Sequence, residues 1–175
     1  MHILQNFLGD SLNLELLEFA IANQQNFIPS TTSSGEANYR SSLVLYDLKE
    51  WRSLFEQRLT AVLPQVFDDL AIDSFVPSQI EAQMTSHGNG QYYKWHSDNG
   101  SDEVSDRVLT YVYYFWHEPK QFSGGDLEFE YETLEPVNDA IVFFPSWWQH
   151  QVSVVQMADN SFSKNRFSVN GWIRN

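Results

Sequence analysis

The chain of 175 residues carries 23 acidic against 10 basic side chains, a formal net charge of −13, and no cysteine. That length fits a single domain, residues 1–175, with a core large enough to fold without disulfides. The absence of thiols excludes thiolate zinc sites, iron–sulfur clusters and cysteine nucleophiles, and the few, scattered basic residues argue against a nucleic-acid partner.

The opening Met1-His2-Ile3-Leu4-Gln5-Asn6-Phe7 has no basic segment leading into an apolar one, and no run of about 18 apolar residues follows. The expectation is a soluble, cytoplasmic protein with no membrane partner. Asp10 or Ser11 is placed to cap a first helix carrying Leu12, Leu16, Phe19 and Ala20 and ending before Pro29. The polar run Ser30-Thr31-Thr32-Ser33-Ser34-Gly35 reads as a loop. From Asp47, the residues Leu48, Trp51, Phe55, Leu59 and Val62 recur at steps of three and four, predicting a second helix that Pro64 should end or kink.

Beyond about residue 75 the pattern changes to short strand-like runs, at 80–86, 91–96, 108–115, 127–131, 140–144, 150–155 and 166–173. They are separated by Gly88-Asn89-Gly90, Asp98-Asn99-Gly100, Ser123-Gly124-Gly125 and Val137-Asn138-Asp139. An aromatic content of 15% suits such a core. The fold class is mainly β with N-terminal helices: helical support over 1–75, and a β-barrel or sandwich over 76–175 with helices against one face. In the acidic stretch, Leu127, Phe129 and Tyr131 alternate with Glu128, Glu130 and Glu132, and Glu135 follows. That reads as the solvated face of a strand, not as a docking surface.

With no thiols, a metal must rest on His, Asp or Glu. His96 and Asp98 stand two apart at a strand end and project from the same face, and His150 opens a later strand. Two imidazoles and one carboxylate leave three octahedral positions open, as in non-heme Fe(II) oxygenases. Each residue has a plainer reading: Asp98 as the start of a tight turn, His150 as a core histidine, His87 as a loop residue and His117 as structural. A 2-oxoglutarate chelated at such an ion would present a distal carboxylate needing a planar cation, and Arg166 opens the last strand on the same face as Ser168, Asn170 and Trp172. Tyr114, aligned with Thr110 and Val112 on another strand, offers a phenolic hydrogen bond to the same group. The plainer reading of Arg166 is a surface ion pair.

The segments Gly88-Asn89-Gly90, His96-Ser97-Asp98-Asn99, 107–114, Phe122-Ser123-Gly124-Gly125-Asp126-Leu127, Phe143-Phe144-Pro145-Ser146 and 166–172 occur in this order over about half the chain. As a set they resemble the prolyl 4-hydroxylase group of Fe(II)/2-oxoglutarate dioxygenases, which includes the hypoxia-sensing prolyl hydroxylases and bacterial relatives. The resemblance implies a double-stranded β-helix (jelly-roll, cupin-like), with His96, Asp98 and His150 as iron ligands. It implies cosubstrate binding by Arg166 and Tyr114, with Thr110, Ser168 and Asn170 beside them. The cofactors implied are Fe(II), 2-oxoglutarate and O₂, with ascorbate as reductant; the reaction is hydroxylation with release of succinate and CO₂.

Two departures concern fine positioning: Asn170 stands where some relatives have threonine, and Ser86 or His87 where some have tyrosine. A longer stretch from Gln151 to Asn165 predicts a different loop at the pocket. The favoured substrate is a prolyl residue in a peptide or protein, reached between loops 30–40, 99–106 and 156–165, with a free amino acid or small natural product as the alternative. A halogenase is disfavoured because Asp98 fills the position that chloride needs, and a non-catalytic cupin-like metal binder has no use for Arg166 and Tyr114.

Overall fold

A computed structural model describes residues 1–31 and 38–175; Thr32 to Gly35 of the polar run lie outside the described residues. The first part of the chain forms β1 (His2–Gln5), α1 (Asp10–Ala22), β2 (Ile28–Pro29), β3 (Arg40–Ser41), β4 (Leu43–Leu45) and α2 (Glu50–Leu70). Then come β5 (Gln79–Ile80), β6 (Gln83–His87), β7 (Tyr92–His96), β8 (Arg107–Phe115), β9 (Phe122–Ser123) and β10 (Leu127–Phe129). The last are β11 (Thr133–Leu134), β12 (Ala140–Pro145), β13 (His150–Val152), β14 (Gln156–Met157) and β15 (Arg166–Arg174). The protein is thus mainly β with two helices. No helix among the described residues is long and apolar enough to cross a membrane.

The larger sheet runs β1-β12-β8-β15-β6-β4-β2, with β5 also paired to β15; the smaller runs β11-β10-β13-β7-β3. Alternation along its central strands gives the larger sheet two different faces. Leu109, Tyr111, Tyr113 and Phe115 of β8, with Phe167, Val169 and Ile173 of β15, enter one core with Leu16 and Leu17 of α1 and Phe55, Leu59 and Leu63 of α2. Both helices therefore cover that face, as predicted. On the opposite face Tyr114, Val142 and Phe144 pack against Leu127 and Phe129 of the smaller sheet. Between the two sheets, where apolar packing gives way to polar side chains, the site opens.

Several local features differ from the sequence expectation. The residues before 75 supply four strands as well as helices, because β1, β2 and β4 extend the larger sheet and β3 the smaller. Neither Asp10 nor Ser11 caps α1: Gly9 stands at its N-terminus at φ 86°, and the Asp139 carboxylate accepts the Leu8 and Gly9 N–H groups, both at 2.9 Å. Helix α2 continues past Pro64 to Leu70. Pro64 is exposed, so the Thr60 carbonyl that loses its partner faces water, while Leu63, Val66 and Phe67 keep the helix on the core. The strand expected over 127–131 stops at Phe129, whose N–H bonds the Glu132 carbonyl in a turn; Tyr131 is consequently 91% exposed. The run expected over 80–86 is interrupted at Glu81, whose N–H bonds the Trp172 carbonyl. This crossing needs Gly171, since a Cβ there would stand 1.8 Å from the Glu81 oxygen.

Candidate metal centre and anion pocket

His96 and His150 are direct partners across the β7–β13 ladder, and Asp98 lies two residues past the end of β7. One ligand atom from each of the three lies within 4.8 Å of the others. The His96 Nε2 to Asp98 Oδ1 distance is 3.6 Å and His150 Nε2 to Asp98 Oδ2 is 3.5 Å, which is the spacing of ligands around one ion. Both imidazoles are oriented from behind: His96 Nδ1 meets the Lys94 carbonyl at 2.7 Å and His150 Nδ1 the Trp148 carbonyl at 2.9 Å. Donation from Nδ1 leaves each Nε2 lone pair free for a metal. Burial, reinforced by neighbouring His150, pushes His96 down to about 4, so it is neutral and ready to ligate at neutral pH.

Asp98 is fixed by groups that the sequence reading did not single out for that purpose. Its N–H bonds the Ser146 carbonyl at 2.9 Å, and Thr110 Oγ1 donates to Oδ2 at 2.8 Å while lying 3.0 Å from Ser146 Oγ. Thr110, expected to touch the cosubstrate, thus gives its proton to the carboxylate. Thr110→Val should weaken metal affinity by roughly 10- to 100-fold, as loss of an outer partner does at other metal sites, with little change in 2-oxoglutarate KM at saturating iron. Metal titration of the apoprotein checks this; unchanged affinity would make the hydroxyl structural only.

A cavity of about 890 Å³ extends from the three ligands along the inner face of the larger sheet. Tyr114, Arg166, Ser168 and Asn170 all line it, as does Thr110, so the structure gathers every residue predicted for the site into one space. Cross-strand register explains why: Ser168 is paired with Tyr114 and Trp172 with Thr110 on β8, and Arg166 with His87 on β6. Arg166 is 1% exposed and lies over the Tyr114 ring at 4.9 Å, which removes the surface-ion-pair reading. Its Nε and the Tyr114 hydroxyl have no hydrogen-bond partner among the described residues. Burial lowers the Arg166 pKa and pushes Tyr114 up to about 12, so the arginine is a desolvated cation and the tyrosine a proton donor. Gly125, at φ +69°, makes room, since a Cβ there would sit 2.5 Å from Arg166 Cδ.

His87, read as a loop residue, ends β6 and is buried; Arg166 Nη1 lies 3.4 Å from its Nδ1. Burial first and Arg166 second hold its pKa well below the ordinary value, which keeps the ring neutral and able to accept from the guanidinium. Asn170 accepts from Thr85 Oγ1 at 2.7 Å and is held on the cavity floor. His117 is exposed and outside the site. Loops 30–40 and 99–106 contribute Tyr39, Arg40, Gly100 and Ser101 to the cavity wall, whereas none of residues 156–165 lines it. Phe162 of that segment packs instead on Phe27 and Phe167 in the helix-side core, while Met157 packs on the inter-sheet core.

A sequence model of the 2OG-Fe(II) oxygenase superfamily matches residues 82–174. A relative in Synechocystis sp., described as an uncharacterized PKHD-type hydroxylase, is 36% identical over 187 residues; the match covers 98% of this chain, which spans 62% of that relative's length. Among solved structures, a Trichoplax adhaerens prolyl hydroxylase in complex with a hypoxia inducible factor oxygen degradation domain peptide has a TM-score of 0.70 at 18% identity. The alignment covers 99% of this chain and 82% of that one. A Pseudomonas putida prolyl-4-hydroxylase gives a TM-score of 0.70 at 19% identity, with 99% and 91% covered. The viral collagen prolyl hydroxylase of Paramecium Bursaria Chlorella virus-1, as its 2-oxoglutarate complex, gives 0.65 at 18%, with 99% and 94% covered. With the family match spanning over half the chain and the His96–Asp98–His150 cluster inside it, this protein belongs to the 2OG-Fe(II) oxygenase superfamily.

Proposed function

We propose that this enzyme hydroxylates a prolyl residue in a peptide or protein within a double-stranded β-helix, with His96, Asp98 and His150 holding iron and Arg166 holding 2-oxoglutarate. The observation that carries the cosubstrate assignment is the buried guanidinium of Arg166, which has no carboxylate partner among the described residues and shares one cavity with the triad. When bound, iron and 2-oxoglutarate activate O₂ and yield succinate, CO₂ and a hydroxyl on the substrate. Arg166 and Tyr114 orient the distal carboxylate through charge-assisted hydrogen bonds, and Ser168 and Asn170 bound the space beside it. The packed apolar side chains Leu127, Val142 and Phe144 exclude bulk water from the inner end.

The similar P. putida and T. adhaerens proteins are prolyl hydroxylases, which supports proline as the target. So does the mouth of the cavity, where Trp95 and Tyr46 remain about half exposed, suited to contact with a ring and an extended chain. Incubation with proline-containing peptides, free proline and a panel of amino acids should yield succinate together with a gain of one oxygen on peptidyl proline. Coupled turnover with free small molecules alone would refute the peptide assignment and leave the oxygenase chemistry standing.

A further inference from the structure

Four of the ten basic residues, Arg40, Arg52, Arg107 and Arg166, line the metal cavity of a chain whose net charge is −13. Three have evident employment. Arg107 makes a two-pronged pair with Glu81, at 2.9 and 2.8 Å, and lies 3.6 Å over the Trp172 ring. Arg52 donates to the Tyr46 and Ala82 carbonyls at 3.1 and 3.0 Å, and Arg166 is assigned to the cosubstrate. Arg40 differs from them all. Its Nε donates to Ser42 Oγ at 3.0 Å, while its two terminal NH₂ groups make no hydrogen bond or ion pair among the described residues.

Arg40 is also held close to the chemistry. Strand β3 pairs it with Tyr93 on β7; its guanidinium lies 4.8 Å from the Tyr93 ring, and that ring is stacked 3.5 Å from the His96 imidazole. Desolvation lowers its pKa, partly offset by Tyr93, Tyr46 and Asp98, yet a guanidinium remains charged. A partly desolvated cation whose four terminal N–H donors have no partner among the described residues, one aromatic ring away from His96 and lining the cavity, is the physical description of a carboxylate receptor.

Building on the oxygenase reading above, we infer that Arg40 receives a carboxylate of the substrate, so that the accepted target is an acid at or next to the hydroxylated residue. Two sources share that chemistry: the α-carboxylate of a chain terminus or free amino acid, and the side chain of an adjoining Asp or Glu. A polyanion is disfavoured by the surrounding negative field, so one carboxylate delivered into the pocket is the form that fits.

The test is calorimetric binding to zinc-loaded enzyme saturated with 2-oxoglutarate, which needs no turnover. The probes are acetyl-Ala-Pro-Ala-amide, acetyl-Ala-Pro-Asp-amide, acetyl-Asp-Pro-Ala-amide, acetyl-Ala-Pro with a free carboxylate, and free proline. At least one carboxylate-bearing probe should bind about 10-fold or more tightly than the neutral peptide, and which one does so identifies the source. In Arg40→Gln, which keeps a donor for Ser42, that preference should vanish while 2-oxoglutarate affinity stays within about 2-fold. Equal binding of neutral and acidic probes, binding by none, or a preference that survives Arg40→Gln would overturn the inference. Weakened 2-oxoglutarate binding in that variant would also overturn it, by moving Arg40 to the cosubstrate site. Failure of wild-type protein to take up 2-oxoglutarate is a separate result, and would sink the oxygenase reading together with everything built on it.

Discussion

Arg166→Ala will raise the 2-oxoglutarate KM by roughly 30-fold or more, corresponding to the ~2–5 kcal/mol lost when one partner of a buried charge-assisted pair is removed. Arg166→Lys will give a smaller increase, because an ammonium keeps the charge and gives up the planar two-pronged geometry. The vacated space is enclosed by His87, Tyr114 and Gly125, none of which supplies a positive charge at neutral pH. Iron affinity should hardly change, since the ligands are carried by β7, β13 and the turn after β7. Steady-state assays of succinate release, with 2-oxoglutarate varied at saturating iron, measure the effect. A KM equal to wild type in the alanine variant would contradict the role given to Arg166.

His96→Ala, Asp98→Ala and His150→Ala will each abolish succinate release, with melting of the metal-free protein close to that of wild type. The asymmetry follows from what surrounds the triad. The three side chains point into the cavity, and the helix-side core of Leu16, Phe55, Tyr113 and Phe167 is untouched by their removal. Loss of Asp98 leaves the Thr110–Ser146 hydrogen bond in place at 3.0 Å, and the Thr110 proton that loses its acceptor borders the cavity, where water can take it. Succinate assays paired with thermal melts of the apoproteins separate chemistry from folding. Full turnover by any one variant would remove that residue from the metal centre.

The alternation of β8 and β15 made much of this site legible from the sequence. Arg166, Ser168, Asn170 and Trp172 had to share a face once the last strand was recognised, and the His-x-Asp spacing put two ligands on one side of a strand end. The larger framework was legible for the same reason, since periods of 2 and 3.6 leave a mark in the apolar pattern. What escaped depends on long-range pairing. Arg40 sits in a two-residue strand after a polar loop, and nothing local indicates that β3 pairs with β7 and lays the guanidinium on Tyr93. His87 beside Gly88-Asn89-Gly90 looks like part of a turn, yet register with Arg166 buries it. The basic residues are scattered along the chain, yet folding brings four of them to one cavity. Asp139 as the partner of the chain entering α1 is likewise invisible, because its contact with Leu8 spans 131 positions.

In the proposed complex, His96, Asp98 and His150 hold an iron to which 2-oxoglutarate binds while Arg166 secures its far end. Anaerobic addition of Fe(II) and then 2-oxoglutarate to the apoprotein tests it most directly, through the visible charge-transfer absorption of a chelated keto acid. The expected band requires both additions, saturates at one equivalent of iron, is lost in His150→Ala, and needs far more 2-oxoglutarate in Arg166→Ala. No band in the wild-type protein, or an undiminished one in His150→Ala, would contradict it.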